Sequence, residues 1–96
     1  MEKRNCPRFP VMFLAVFFGE RAGGGLVLDL CLQGCRVRSA VPLHQGEYLR
    51  IRIDLVGETV TAEAIVCWSN KEECGVELIR MVPDQQARLR ALLDHG

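Results

Sequence analysis

A strict two-residue alternation between positions 48 and 68 is the feature that most constrains the fold. In Tyr48–Leu55 every second residue is aliphatic, and the residues between them are Arg50, Arg52 and Asp54. Thr59–Trp68 repeats the pattern, with one face formed by Val60, Ala62, Ala64, Val66 and Trp68. Successive side chains of a strand point to opposite faces of a sheet, so each segment predicts a half-buried strand. The connection Val56-Gly57-Glu58 is short enough to make the two segments a hairpin.

Shorter apolar segments predict the other strands, which are Phe9–Phe18, Leu26–Cys31, Cys35–Ser39 and Cys74–Met81. Residues 19–25, with three consecutive glycines, are predicted to be a flexible turn. From Pro83 the apolar residues follow helical spacing, and Leu89, Leu92 and Leu93 form a stripe that should lie against the open end of the sheet. The predicted fold is all-β, a small antiparallel β-barrel of about six or seven strands with one C-terminal α-helix. The 96 residues form one domain, with an arm at 1–8, a barrel at 9–81 and a helix at 83–95.

The charge balance argues against nucleic-acid and membrane partners. Twelve basic and twelve acidic residues cancel, so we expect no DNA or RNA binding, no membrane insertion and only local anion sites. A basic start followed by the apolar run Phe9–Phe18 resembles a secretory signal, which remains an alternative. The run is too short to span a bilayer, contains Pro10 and lacks a small-x-small cleavage site, so a buried first strand in a cytoplasmic protein explains it better.

The cysteines and histidines do not form a recognisable catalytic or metal pattern. The five cysteines (6, 31, 35, 67 and 74) contain no C-x-x-C pair, and the two histidines fall outside metal-ligand spacing. Reduced, half-buried thiols are therefore expected, with a zinc or redox site at Cys31 and Cys35 as the alternative. Gly23-Gly24-Gly25 lacks the Lys-Ser/Thr that follows a phosphate-binding loop. We expect no catalytic activity, no metal and no cofactor.

A pair of arginines precedes the first strand, in the segment Arg4-Asn5-Cys6-Pro7-Arg8. Pro7 excludes a regular helix interior, so the segment is an extended or turning arm that is expected to be mobile without ligand. A guanidinium group binds phosphate or a guanine edge in two places and stacks on a purine. By itself, the pattern is better explained by solvated surface charge.

A second pattern lies where a strand meets a turn, in Asp29-Leu30-Cys31-Leu32-Gln33-Gly34. Asp29 can accept hydrogen bonds from the N1 and N2 edge of guanine, or hold an arginine in place. Gly34 allows close backbone approach or a positive φ angle. The simpler alternative is a strand that ends in a polar turn.

In this order and spacing, the two patterns resemble the PilZ domain family, whose signature is R-x-x-x-R followed by Asp/Asn-x-Ser-x-x-Gly. The likeness continues through Val41–Gly46, Ile65–Trp68, Cys74–Leu78 and the terminal helix. Cys31 departs from it, since the family usually has serine there and sometimes alanine. A thiol is a weak donor, and losing a hydrogen bond to a charged oxygen costs about 1.5–3 kcal/mol. The departure predicts binding weakened by roughly tenfold to a hundredfold.

The resemblance implies a receptor for the bacterial second messenger cyclic di-GMP. It implies ligand contacts by Arg4 and Arg8 in the arm and by Asp29, Cys31 and Gly34 on the barrel. Trp68 either lies beside the ligand, where it could stack on guanine, or belongs to the core. Lys3 adds positive charge and is associated in the family with two intercalated ligands, so a homodimer on ligand binding is a further expectation.

The resemblance also implies a protein partner, in control of motility, adhesion or exopolysaccharide synthesis. The alternative function is a PilZ-like adaptor that binds protein partners without the nucleotide.

Overall fold

The computed structural model describes residues 8–95, which form a closed barrel of six antiparallel strands with one helix after it. The strands are neighbours in the order β1-β2-β3-β6-β5-β4, and pairing of β1 with β4 closes the barrel. The predicted fold class is confirmed. The elements are β1 (Phe9–Gly19), β2 (Gly23–Cys31), β3 (Gly34–Ser39), β4 (Tyr48–Leu55), β5 (Glu58–Ser69), β6 (Glu73–Arg80) and α1 (Pro83–His95).

The barrel interior is filled by aliphatic side chains from every strand. Alternate residues of β4 are buried, from Leu49 to Leu55, and so are those of β5 from Val60 to Val66. The α1 helix adds Leu89 and Leu93 to this core, and Leu92 packs against it, which is the stripe that the sequence predicts. No helix among the described residues is long and apolar enough to cross a membrane.

The glycine-rich segment differs from its predicted turn. Gly23, Gly24 and Gly25 are the first residues of β2 and pair with β1, so only residues 20–22 connect the two strands. A Cβ atom on Gly25 would collide with the carbonyl oxygen of Arg38 on β3. The glycine therefore permits close approach of two strands rather than a flexible turn.

Two irregularities in strand pairing change which residues face outward. The pairing of β2 with β3 shifts between Val27 and Asp29, and that of β5 with β6 shifts between Val66 and Trp68. An extra residue in one strand reverses the inward–outward alternation beyond it. Asp29 comes two residues after the buried Val27, and Trp68 comes two residues after the buried Val66, so regular alternation would turn both inward. Because of the shifts, both face the outer surface instead.

Candidate functional site

A row of outward residues crosses four adjacent strands of the barrel. Asp29 on β2 is paired with Arg36 on β3, Arg36 with Gly75 on β6, and Gly75 with Trp68 on β5. Neighbouring strands are about 5 Å apart, so the row is about 15 Å long. It therefore spans a length suited to a ligand the size of a dinucleotide.

The Asp29 carboxylate lies between two arginines. Its Oδ1 accepts a hydrogen bond from Nη1 of Arg8 at 2.6 Å, and its Oδ2 accepts one from Nε of Arg36 at 3.0 Å. Arg36 also donates from Nη1 to Oε1 of Glu73 at 2.8 Å, and Nη2 of Arg38 lies 3.7 Å from Oε2 of the same glutamate. Three arginines thus share two carboxylates, which leaves this network with one surplus positive charge.

The pKa directions agree with this arrangement. Hydrogen bonds from Arg36 to Glu73 and Asp29 raise the pKa of its guanidinium. Partial burial lowers the pKa of Arg8, but its hydrogen bond to Asp29 and the charge of that carboxylate outweigh the effect and raise it. Both arginines remain cationic, and a guanidinium has five N–H donors, so each keeps donors for an anion.

Trp68 lies on the outer surface, 41% exposed, and is not a core residue. Its indole covers Gly75, since a Cβ atom on that glycine would fall on the indole Nε1. The prediction that Trp68 shares a face with Val60–Val66 is wrong, because the shift after Val66 turns it outward. The backbones of Trp68 and Arg36 are two strand spacings apart, about 10 Å, and the indole extends over Gly75, which lies between them.

Cys31 and Gly34 lie at the turn between β2 and β3. The Cys31 side chain is 3% exposed, and its Sγ accepts a hydrogen bond from the backbone N–H of Gln33 at 3.4 Å. Gly34 has no positive φ angle; a Cβ atom there would instead collide with the carbonyl oxygen of Val76. Of the two roles predicted for Gly34, the structure therefore shows close backbone approach.

The described thiols give no support to the metal or redox alternative. Residues 8–95 contain no group of three or more His, Cys, Asp or Glu side chains that could hold a metal ion. Burial raises the pKa of Cys35 to about 12 and that of Cys74 to about 11. Thiols with such pKa values stay protonated at neutral pH, whereas the thiolate is the nucleophile and metal ligand.

Two predicted site residues, Lys3 and Arg4, lie outside the described residues, as does most of the predicted arm at 1–8. Of the predicted ligand contacts, the structure brings Arg8 and Asp29 together. Cys31 and Gly34 are nearby in the following hairpin turn, and Trp68 lies at the other end of the row.

Arg36, Glu73 and Gly75 were not among the predicted site residues. A signal for Arg36 exists in the sequence, because Leu32-Gln33 is a two-residue hairpin connection that pairs Cys31 with Gly34. Counting outward from that pair brings Asp29 opposite Arg36. Glu73 and Gly75 lie far away in the chain, and no local pattern indicates which residues they oppose.

A family model for the PilZ domain matches residues 2–95 of the chain. The chain belongs to the PilZ domain family. PilZ domains are receptor and adaptor domains of cyclic di-GMP signalling, which is the class of role that this membership indicates. Among curated proteins, none matches the chain.

Several solved structures share the fold, including the following two. One is the Bacillus subtilis inhibitor of motility MotI/DgrA, with a TM-score of 0.78 and 22% identity over 99% of this chain and 52% of that one. This PilZ chain thus spans about half the length of MotI/DgrA. The other is the PilZ domain of CeSA from a cellulose-synthesizing bacterium, with a TM-score of 0.74 and 17% identity over 93% of this chain and 96% of that one.

Proposed function

We propose that this PilZ domain is a cytoplasmic, non-enzymatic receptor for cyclic di-GMP that signals to a protein partner. The observation that carries the proposal is the 2.6 Å ion pair between Arg8 and Asp29. It joins the last arginine of the R-x-x-x-R segment to the first residue of the second motif, although they are 21 positions apart. Neither motif is distinctive alone, and their meeting in space supports a shared ligand.

The chemistry of the outer row suits an anionic purine ligand. The network carries a surplus positive charge beside Trp68, and phosphate is bound well by guanidinium groups. A guanine that stacks on an exposed indole gains about 1–3 kcal/mol. When Arg8 leaves Asp29 to bind the ligand, Arg36 keeps its hydrogen bond to Asp29. The Asp29 carboxylate therefore keeps its orientation. Ordering of residues 1–8 over the ligand would then present a new surface to the partner.

Calorimetric titration with cyclic di-GMP tests the proposal. The wild-type chain should bind saturably, and Arg4→Ala/Arg8→Ala should lose the heat signal because two phosphate-binding groups are removed. Arg90→Ala is the control, since Arg90 is exposed on α1, away from the row. Equal heat signals for the wild type and the double variant would overturn the proposal. Cys31→Ser should raise affinity by roughly tenfold to a hundredfold if the missing hydroxyl weakens binding.

A PilZ-like adaptor that binds no nucleotide is the second candidate, and the burial of Cys31 favours it. The thiol is enclosed and hydrogen-bonded to the turn backbone, so it offers little to a ligand on the surface. Amide NMR spectra with and without cyclic di-GMP separate the candidates. Shifts at Arg8 and Asp29–Gly34 support the receptor, whereas unchanged peaks there support the adaptor.

A further inference from the structure

The outward side of β1 is apolar, as its inward side is. Met12 is 74% exposed, Leu14 63% and Phe18 48%, and Leu14 is paired with the half-buried Leu26 of β2. We call this surface the β1 outer face, formed by Met12, Leu14, Val16, Phe18 and Leu26. Clustered exposed aliphatic and aromatic side chains mark an interaction site more often than scattered ones do.

Core packing does not account for this composition. The inward residues Ala15 and Phe17 fill the barrel, whereas Leu14 and Phe18 contribute little to it. The neighbouring strand β4 shows the usual pattern for a sheet with one solvent face, with Arg50, Arg52 and Asp54 outside. The outer face of β1 therefore differs from its neighbour in a way that folding alone does not require.

A groove continues the β1 outer face at one end. It lies between the first half of β1 and the turn that joins β4 to β5, and its volume is about 490 Å³. Met12 and Leu14 line one wall, and the opposite wall includes Leu55 and the 86% exposed Val56. A bulky apolar side chain of a partner would fit between these walls.

Arginines border the β1 outer face on both sides. Arg50 and Arg52 on β4 are paired with Phe18 and Val16, and neither forms an ion pair with another described residue. Arg38 on β3 is paired with Leu26 and has Glu73 at 3.7 Å. Asp54 and Glu58 are the acidic exceptions, both at the groove end, and Glu58 forms an ion pair with Arg88. The border is therefore mainly positive.

We propose that the β1 outer face docks an amphipathic helix of a partner protein, with its apolar stripe on Leu14 and Phe18 and acidic side chains against Arg50 and Arg52. Strand addition is not available along Ala15–Gly19, because this segment is already paired with β4 and its first three residues also with β2. A second copy fits poorly, since either two-fold arrangement of this face on itself brings arginine opposite arginine. The inference goes beyond the proposed function, because such docking requires no nucleotide.

Amide NMR titrations of the full chain with two synthetic helical peptides test the proposal. Both peptides carry the same leucine stripe, flanked in one by glutamates and in the other by lysines. The glutamate peptide should shift the amides of Met12–Phe18, Arg50 and Arg52, and should bind about tenfold more tightly than the lysine peptide. Arg50→Glu/Arg52→Glu should reverse that preference.

Leu14→Gln should weaken binding of the glutamate peptide by about tenfold. Ile79→Gln is the matched control, since Ile79 is a 48% exposed aliphatic residue on β6, and it should leave binding unchanged. Thermal unfolding verifies that each variant is folded, and Met12→Gln replaces Leu14→Gln if the latter unfolds. Arg4→Ala/Arg8→Ala should bind the peptide as the wild type does, which separates this test from the nucleotide test.

Three results would overturn the proposal. The first is equal binding of both peptides, and the second is shifts that lie away from β1 and β4. The third is a dimer in sedimentation experiments without peptide that Leu14→Gln dissociates, which would identify a second copy of the chain as the occupant.

Discussion

The indole of Trp68 occupies the space where a side chain at Gly75 would begin. Glycine is needed at this position because the ring lies against the backbone of β6, not because the backbone conformation is unusual. The contact holds Trp68 on the outer surface, where one aromatic face remains available. Since Trp68 is the single tryptophan of the chain, the tryptophan fluorescence comes from this side chain alone.

Gly75→Ala should displace the indole and expose it further to water. We expect the tryptophan emission maximum to move to longer wavelength, and cyclic di-GMP affinity to fall if guanine stacks on Trp68. Because the clash is with a surface ring that can move, the loss of stability should be about 1–3 kcal/mol. Glu77→Ala, at the next outward position of β6, is the control; the same emission for both variants would contradict the assigned contact.

At the scale of secondary structure, α1 completes the barrel core instead of forming a separate layer. Its buried residues Leu89 and Leu93 join the core, while its polar residues bind the end of β5. Nη1 of Arg88 donates to the carbonyl oxygen of Thr59 at 3.0 Å, and Oε1 of Gln85 accepts from the N–H of Thr61. These contacts set the position of the helix along β5.

Leu89→Ala should reduce the free energy of unfolding by about 2–5 kcal/mol, because Leu89 is fully buried and the variant leaves a cavity. Leu92→Ala should cost less, since Leu92 is partly exposed. Arg90→Ala, on the solvent side of α1, should stay within about 0.5 kcal/mol of the wild type. Urea denaturation measures all three, and equal losses for Leu89→Ala and Arg90→Ala would show that α1 does not belong to the core.

Across the whole molecule, the pairing is most regular where β4 meets β5. Their register runs without interruption from Tyr48 opposite Ile65 to Leu55 opposite Glu58. In contrast, the first half of β1 pairs with β2 across a shift between Pro10 and Phe13, and its register with β4 begins at Ala15. The barrel is therefore strongly paired between β4 and β5 and weakly paired around the first half of β1.

Hydrogen exchange should reveal this difference. The amides of Leu49–Leu55 should exchange only through global unfolding, whose free energy is about 5–15 kcal/mol for a domain of this kind. The amides of Val11–Phe13 should exchange much faster through local opening. Mass spectrometry or NMR after dilution into D₂O measures both, and similar protection in the two segments would contradict the expectation.

Much of the fold follows from local pattern. The alternation in β4 and β5 predicts two strands and their buried faces, because period two is a property of the extended backbone itself. The stripe of Leu89, Leu92 and Leu93 predicts α1 and its buried side, because residues three and four apart lie on the same face of a helix. The proximity of Arg8 and Asp29 was predictable only from the resemblance of the two motifs together to the PilZ signature.

The remaining features depend on register between strands that are distant in sequence. The row that links Asp29 to Trp68 exists because bulges reverse the alternation before each of them, and nothing local in either strand signals the reversal. Gly25 is interpreted as a turn residue from sequence alone, yet it is required where the carbonyl of Arg38 comes close. Close approach is one of two roles predicted for Gly34, but the sequence does not indicate that its neighbour is the carbonyl of Val76. Short-range periodicity thus determined the elements of this PilZ domain. Only barrel closure decided which side chains share its outer surface, because the register of paired strands is a long-range property.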